Sequence, residues 1–171
     1  GDGAVYVVGY SSPLNEPGQH PKLPPYADWR AAQDQDKDGR VTKAEADPTS
    51  KDYFDFIDLD HDGSVSESEW RMNEAMMAAE NGLLAFKSDG TGDVTRSGLL
   101  WAYRRSIPQL PTPVLYRGVL YMINDGGILT TLDPATGKAL KQGRLREAVD
   151  QYFASPLAGD RKVYFVSKSR I

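Results

Sequence analysis

The chain of 171 residues contains no cysteine. That excludes disulfides, thiolate metal centres and cysteine nucleophiles, and leaves the compartment open. Histidine is nearly absent too. His20 lies in a proline-rich stretch and His61 inside an acidic loop, neither spaced for a zinc site or placed beside a nucleophile. No run approaches the roughly 18 consecutive apolar residues of a membrane-spanning helix. The N-terminus lacks a basic segment followed by an apolar one, so no signal peptide is expected in this sequence. It opens instead on Gly1-Asp-Gly-Ala-Val-Tyr6, which looks like the middle of a strand unit. Lysine and arginine form no cluster interleaved with aromatics, which argues against nucleic acid as a partner.

What is present is acidity gathered in one place. Between Asp34 and Glu69 lie 12 acidic side chains against 4 basic ones, within a chain whose net charge is only −4. The rest is mildly and diffusely basic. Hydrophobic residues make up 40 %, enough for a packed core.

The acidic segment holds two loops of the same grammar, Asp34–Glu45 and Asp58–Glu69. Each carries Asp at positions 1, 3 and 5, Gly at 6, Val at 8, a hydroxyl residue at 9 and Glu at 12. Calcium takes about 6–8 hard oxygens, and alternate carboxylates followed by a bidentate glutamate supply them in one short loop. The glycines, Gly39 and Gly63, allow the positive φ of the sharp turn. The pattern is similar to the EF-hand calcium loop. The expected ligand set is Asp34, Asp36, Asp38, Arg40 (by its carbonyl), Thr42 and Glu45 in the first loop. In the second it is Asp58, Asp60, Asp62, Ser64 (by its carbonyl), Ser66 and Glu69, so two Ca²⁺ ions are expected.

Around the loops the sequence predicts helices. Tyr26–Gln33 reads as the helix entering the first loop, with Trp29 on its apolar face. Pro48 is expected to end the helix leaving that loop. Tyr53, Phe54, Phe56 and Ile57 suggest a short helix entering the second loop, and Glu67–Asn81 a longer one leaving it. Val41 and Val65 are placed to pair as a small β-bridge. Met72, Met76 and Met77 read as packing residues of the exit helix rather than a sensor's groove. The insert of helices and loops is placed at 26–81, behind a Pro-rich connection at 11–25.

The remainder, 1–10 and 82–171, reads as short antiparallel strands between Gly and Asp turns. Runs at Gly82–Lys87, Leu99–Arg104, Pro113–Tyr116, Val119–Asn124, Ile128–Asp133, Ala139–Leu145, Gln151–Leu157 and Lys162–Ser167 are expected as strands. Asp93, Asp125 and Asp133 are expected to stabilise turns. Thr112-Pro113 recurs as Ser155-Pro156 and Leu120-Tyr121 as Val163-Tyr164, each 43 positions on. Gly3-Ala-Val-Tyr6 also matches Gly118-Val-Leu-Tyr121. A period of about 40–45 residues with four strands each is that of propeller blades.

Gly126-Gly-Ile-Leu-Thr-Thr-Leu-Asp-Pro-Ala-Thr-Gly-Lys138 and Ala154-Ser-Pro156 with Asp160-Arg-Lys-Val-Tyr164 resemble the repeats of PQQ-like, quinoprotein-type β-propellers. Thr131-Leu132 and Lys141 depart from the family pattern; Trp101 fits its tryptophan position in an earlier blade. The resemblance implies a mainly β fold of two to two and a half blades of four-stranded antiparallel sheet, with a compact helical EF-hand pair inserted. A propeller closes with roughly 4–8 blades, so open strand edges would seek partners or self-association.

The expected function is a calcium-binding, non-catalytic module, extracytoplasmic (periplasmic or secreted) and bacterial in type, serving as an interaction scaffold. The alternatives are a structural subunit of an extracellular assembly completed by strand pairing, or part of a quinone-dependent dehydrogenase. No catalytic residue is assigned, and no residue is assigned to PQQ.

Overall fold

The structure is a computed structural model that describes residues 3–11 and 22–169. His20 and most of the Pro-rich connection lie outside the described residues. The chain divides into two compact units, His20–Ala79, and Gly1–Gln19 with Glu80–Ile171.

The smaller unit is helical. It contains α1 (Tyr26–Gln33), α2 (Pro48–Asp52), α3 (Phe54–Ile57) and α4 (Glu67–Ala78). Pro48 starts a helix instead of ending one. Asp47 caps α2 by accepting from the backbone of Thr49 and Ser50, both at 3.0 Å, and proline at the first helical position loses no hydrogen bond. The segment after the first loop is thus a turn, not an exit helix. Of the four aromatic or aliphatic residues placed on the third helix, Phe54 and Ile57 are buried while Tyr53 and Phe56 are exposed. The exit helix ends at Ala78, short of Asn81, and Met72 stands exposed; Glu69, Trp70 and Asn73 are its buried side chains. Trp29, Val41, Ala46, Phe54, Ile57, Val65 and Trp70 form the core, with Leu23 and Tyr26 against it. Trp29 and Trp70 stack at 4.0 Å with planes 14° apart, joining α1 to α4.

The larger unit is all antiparallel strand. Strands β1 (Ala4–Gly9), β2 (Gly82–Lys87) and β3 (Leu99–Tyr103) form one sheet in that order. Strands β4 (Val114–Tyr116), β5 (Val119–Asn124), β6 (Ile128–Leu132) and β7 (Ala139–Arg144) form a four-stranded meander, and β8 (Leu157–Gly159) pairs with β9 (Lys162–Tyr164). The fold is mainly β with a small helical part, and the described strands close no barrel. In the first sheet Gly9 is registered opposite Gly82, so the chain leaves and re-enters that sheet at facing residues. Of the expected strand Gln151–Leu157, only Leu157 is in a strand, as the first residue of β8. The backbone before it is tied to turns instead: Tyr152 N–H donates to Asp125 Oδ1 at 2.8 Å, and Lys168 N–H reaches the Gln151 carbonyl at 2.8 Å. The last expected strand is likewise only three residues long.

Turn chemistry sets the meander. Arg117 and Gly118 both have positive φ (50° and 76°), as a two-residue hairpin with right-handed strand twist requires. Asp133 Oδ1 accepts from Ala135 and Thr136 at 2.8 and 3.0 Å, closing the turn between β6 and β7. That turn docks on the neighbouring sheet. Trp101 Nε1 and Tyr6 OH both donate to the Pro134 carbonyl, at 3.0 and 3.2 Å. A Cβ on Gly137 would lie 2.5 Å from Trp101 Cε3. The 43-residue repeat also appears as contact, Thr112 N–H donating to Ser155 Oγ at 2.9 Å. Leu83, Ile107, Leu120, Met122 and Leu132 form the core, with Tyr6, Val8, Tyr10, Trp101 and Tyr103 packed on it.

Two outcomes follow for this unit. Gly137→Ala combines a φ of +69° with collision against the indole and is expected to cost about 1–3 kcal/mol of stability, read by denaturant unfolding. Asp150 accepts from the Ser169 hydroxyl, the Ser167 hydroxyl at 2.7 Å and the backbones of Gln151 and Ser169. Those bonds, the Ser169 hydroxyl first, hold its carboxyl far below the usual aspartate range. The stabilisation is present above about pH 4 and fades as pH falls below the unfolded-state value. Asp150→Asn should therefore lower the melting temperature at neutral pH, with the gap to the parent narrowing in acid.

Candidate metal centre

Each loop is shaped by its own carboxylates before any ion is considered. Asp34 Oδ2 accepts from Gly39 N–H at 3.1 Å, Asp36 Oδ1 from Asp38 at 3.1 Å, and Asp38 Oδ1 from Arg40 at 2.8 Å. In the second loop Asp58 Oδ2 takes Gly63 N–H at 3.0 Å, and Asp62 N–H is shared by Asp58 and Asp60 at 3.2 and 3.1 Å. Gly39 and Gly63 both have φ +90°, the left-handed conformation that only glycine adopts cheaply. Lys37 and His61, at position 4 of each loop, also have positive φ. His61 is exposed.

The result is two knots of negative charge. Asp34, Asp36 and Asp38 each present an oxygen within 4.8 Å of the others, as do Asp58, Asp60 and Glu69. Of the expected ligands, Glu45 lies outside the first group and Asp62 outside the second. Asp34 Oδ1 is buried with no hydrogen-bond partner. A buried, unsatisfied carboxylate oxygen is costly, and a divalent cation is the group that would satisfy it among two further carboxylates. Hard oxygen donors without nitrogen or sulfur suit calcium.

The glutamates at position 12 are held by the residues at position 9. Thr42 Oγ1 donates to Glu45 Oε2 and Ser66 Oγ to Glu69 Oε2, both at 2.7 Å. Glu69 is also the acceptor of a capping box on α4, taking Ser66 N–H at 2.8 Å, while its other oxygen takes Leu59 N–H at 2.8 Å. Burial pushes the Glu69 carboxyl up, but the Ser66, Asp60 and Leu59 donors outweigh it and keep it below its ordinary value. Glu45 is lowered chiefly by the Thr42 backbone and hydroxyl. Both glutamates are therefore held as carboxylates at neutral pH. Thr42 and Ser66 are turned to these glutamates, so position 9 orients the last ligand.

The loops are joined back to back. Val65 N–H donates to the Val41 carbonyl at 3.0 Å, and the isolated bridge registers Thr42 with Ser64. The two valines meet one place from the bridge's centre and are both buried in the core. Sequence reasoning used Arg40 only for its carbonyl. In the structure its side chain crosses to the second loop, Nη1 lying 3.7 Å from Asp62 Oδ2. It also passed over Asp47, whose carboxyl is lowered first by the Ser50 hydroxyl. The Asp-Pro pair, a capping residue before proline, was the signal available for it.

Residues 51–72 match a family model for the EF hand. The match covers the second loop, α3 and the first half of α4, and the first loop lies outside it. The EF-hand match and the acidic groups are together compatible with calcium binding. No curated protein matches the chain. Among solved structures, a europium-containing methanol dehydrogenase is similar at 19 % identity and a TM-score of 0.36. That likeness covers 48 % of this chain and 16 % of that one. Among the described residues no helix is long and apolar enough to cross a membrane.

The indole stack offers a direct readout of the centre. Because Trp29 and Trp70 join the helix before the first acidic loop to the helix after the second, calcium addition to chelated protein should change tryptophan emission. Trp70→Phe should remove most of that change without abolishing calcium uptake.

Proposed function

We propose that the chain is a calcium-stabilised, non-catalytic binding module. Each EF-hand loop takes one Ca²⁺, and the pair of ions holds the helical unit in shape. The observation that carries this is the crowding of three carboxylates into each loop, with a buried Asp34 oxygen that no protein donor meets. Around an ion, Asp34, Asp36, Asp38 and Glu45 would supply carboxylates in the first loop, and Asp58, Asp60, Asp62 and Glu69 in the second. The carbonyls of Arg40 and Ser64 would add to them. Thr42 and Ser66 would hold the glutamates in place, and Ca²⁺ would supply the positive charge that the loops lack.

A structural role is supported over a switching one by how little helix stands free to swing. α2 and α3 are five and four residues long, and the valines and stacked indoles already tie the two loops together. The β-rich unit is proposed to be a set of β-propeller blades acting as an interaction scaffold. The four-stranded meander, the 43-residue repeat and the docking of Trp101 on the Pro134–Gly137 turn support that. An extracytoplasmic setting is proposed because extracellular modules work at the high calcium levels such shape-holding sites need.

In a thermal melt, calcium should raise the melting temperature of the parent, each site contributing about 2.7 kcal/mol at a hundredfold excess over Kd. Asp34→Ala with Asp58→Ala should melt alike in calcium and in chelator. Equal melting of the parent in calcium and chelator would contradict the structural role.

A further inference from the structure

The two loops match at the carboxylates of positions 1, 3, 5 and 12, but position 7 is Arg40 in the first and Ser64 in the second. That difference puts a guanidinium of one loop on a carboxylate of the other. Arg40 Nη1 lies 3.7 Å from Asp62 Oδ2 and 3.5 Å from Ser64 Oγ. Asp62 Oδ1 is already engaged by the Ser64 backbone and hydroxyl, both at 2.8 Å, which leaves Oδ2 as the oxygen facing the cation.

The loops differ accordingly in how their position-5 carboxylates sit. Asp38, with no such cation opposite among the described residues, belongs to the close group with Asp34 and Asp36; Asp62 lies outside the group of Asp58, Asp60 and Glu69. Two neighbouring cations act elsewhere. Arg30 reaches the Gly39 carbonyl at 3.3 Å, and Lys43 is bound to Asp55 at 2.7 Å.

We infer that Arg40 is a built-in counter-cation of the second loop, which sets that loop's calcium affinity below what its ligands alone would give. The inference rests on the assignment of both loops as calcium sites. Two effects act in the same direction. In the ion-free chain the guanidinium relieves part of the repulsion among the carboxylates, so less is gained when calcium arrives. In the loaded chain its charge, 3.7 Å from an oxygen of Asp62, would repel the ion held by the same loop. Both effects are electrostatic between partly exposed groups, so salt should weaken them. The contact by itself adds little to folding, since exposed ion pairs contribute little.

Calcium titrations of Asp34→Ala isolate the second loop, and Arg40→Ala and Arg40→Lys are compared in that background. Arg40→Ala is expected to tighten calcium binding roughly threefold to tenfold at low salt, with the gap closing at high salt. Arg40→Lys should stay near the Arg40 value, and melting in chelator should shift little in either variant. With Asp62→Asn added, the effect of Arg40→Ala should shrink, because the part carried by the Arg40–Asp62 pair is lost while the direct repulsion of the ion remains. Equal or weaker affinity in Arg40→Ala, or an effect undiminished by Asp62→Asn and by high salt, overturns the inference. If neither the Asp34→Ala chain nor the parent takes up calcium, the calcium assignment itself falls. That result is distinguishable from equal affinities among variants that do bind.

Discussion

Repulsion among carboxylates is the constraint around which the helical unit is built. Two sets of three acidic oxygens are held within 4.8 Å, a distance at which like charges oppose each other by several kcal/mol at an effective dielectric of about 20. The loops tolerate this because their backbone N–H groups are turned inward, so Asp34, Asp38, Asp58 and Asp62 each accept from the chain two to five residues on. The position-12 glutamates are held by Thr42 and Ser66 in the same way. Backbone donors, glycine turns and the valine bridge thus assemble negative charge in a form that a single hard cation can neutralise.

The β-rich unit solves a different problem. Its sheets are small, of three, four and two strands, and sheets of that size need neighbours to bury a face. The neighbour is supplied by the Asp133–Gly137 turn, whose Pro134 carbonyl collects donors from Tyr6 and Trp101. Gly137 lets the indole lie flat against the turn. β1 and β2 end at facing glycines, so a long excursion can be placed between them without disturbing the register of the first sheet.

Much of this was legible in the amino-acid order, and the misses share a cause. The loops were readable because ion geometry demands specific residue types at fixed intervals. The strands β2 and β5 were readable to the residue because turn signals bound them on both sides. Pro48 was misread because proline ends helices in their interior but begins them at the first position, and only the Asp47 cap distinguishes the two. Gln151–Leu157 has strand-like composition, yet its backbone is bound by Asp125 and by Lys168, a long-range arrangement that no local pattern encodes. The crossing of Arg40 from one loop to the other was invisible for the same reason. It depends on the bridge that sets the loops side by side.

The claim that each loop takes one calcium ion is tested most directly by weighing the protein. Native mass spectrometry of calcium-equilibrated chain should show an added mass of two calcium ions per chain, removed by chelator. A chain that carries none under those conditions, or never more than one, would contradict the proposal of one ion in each loop.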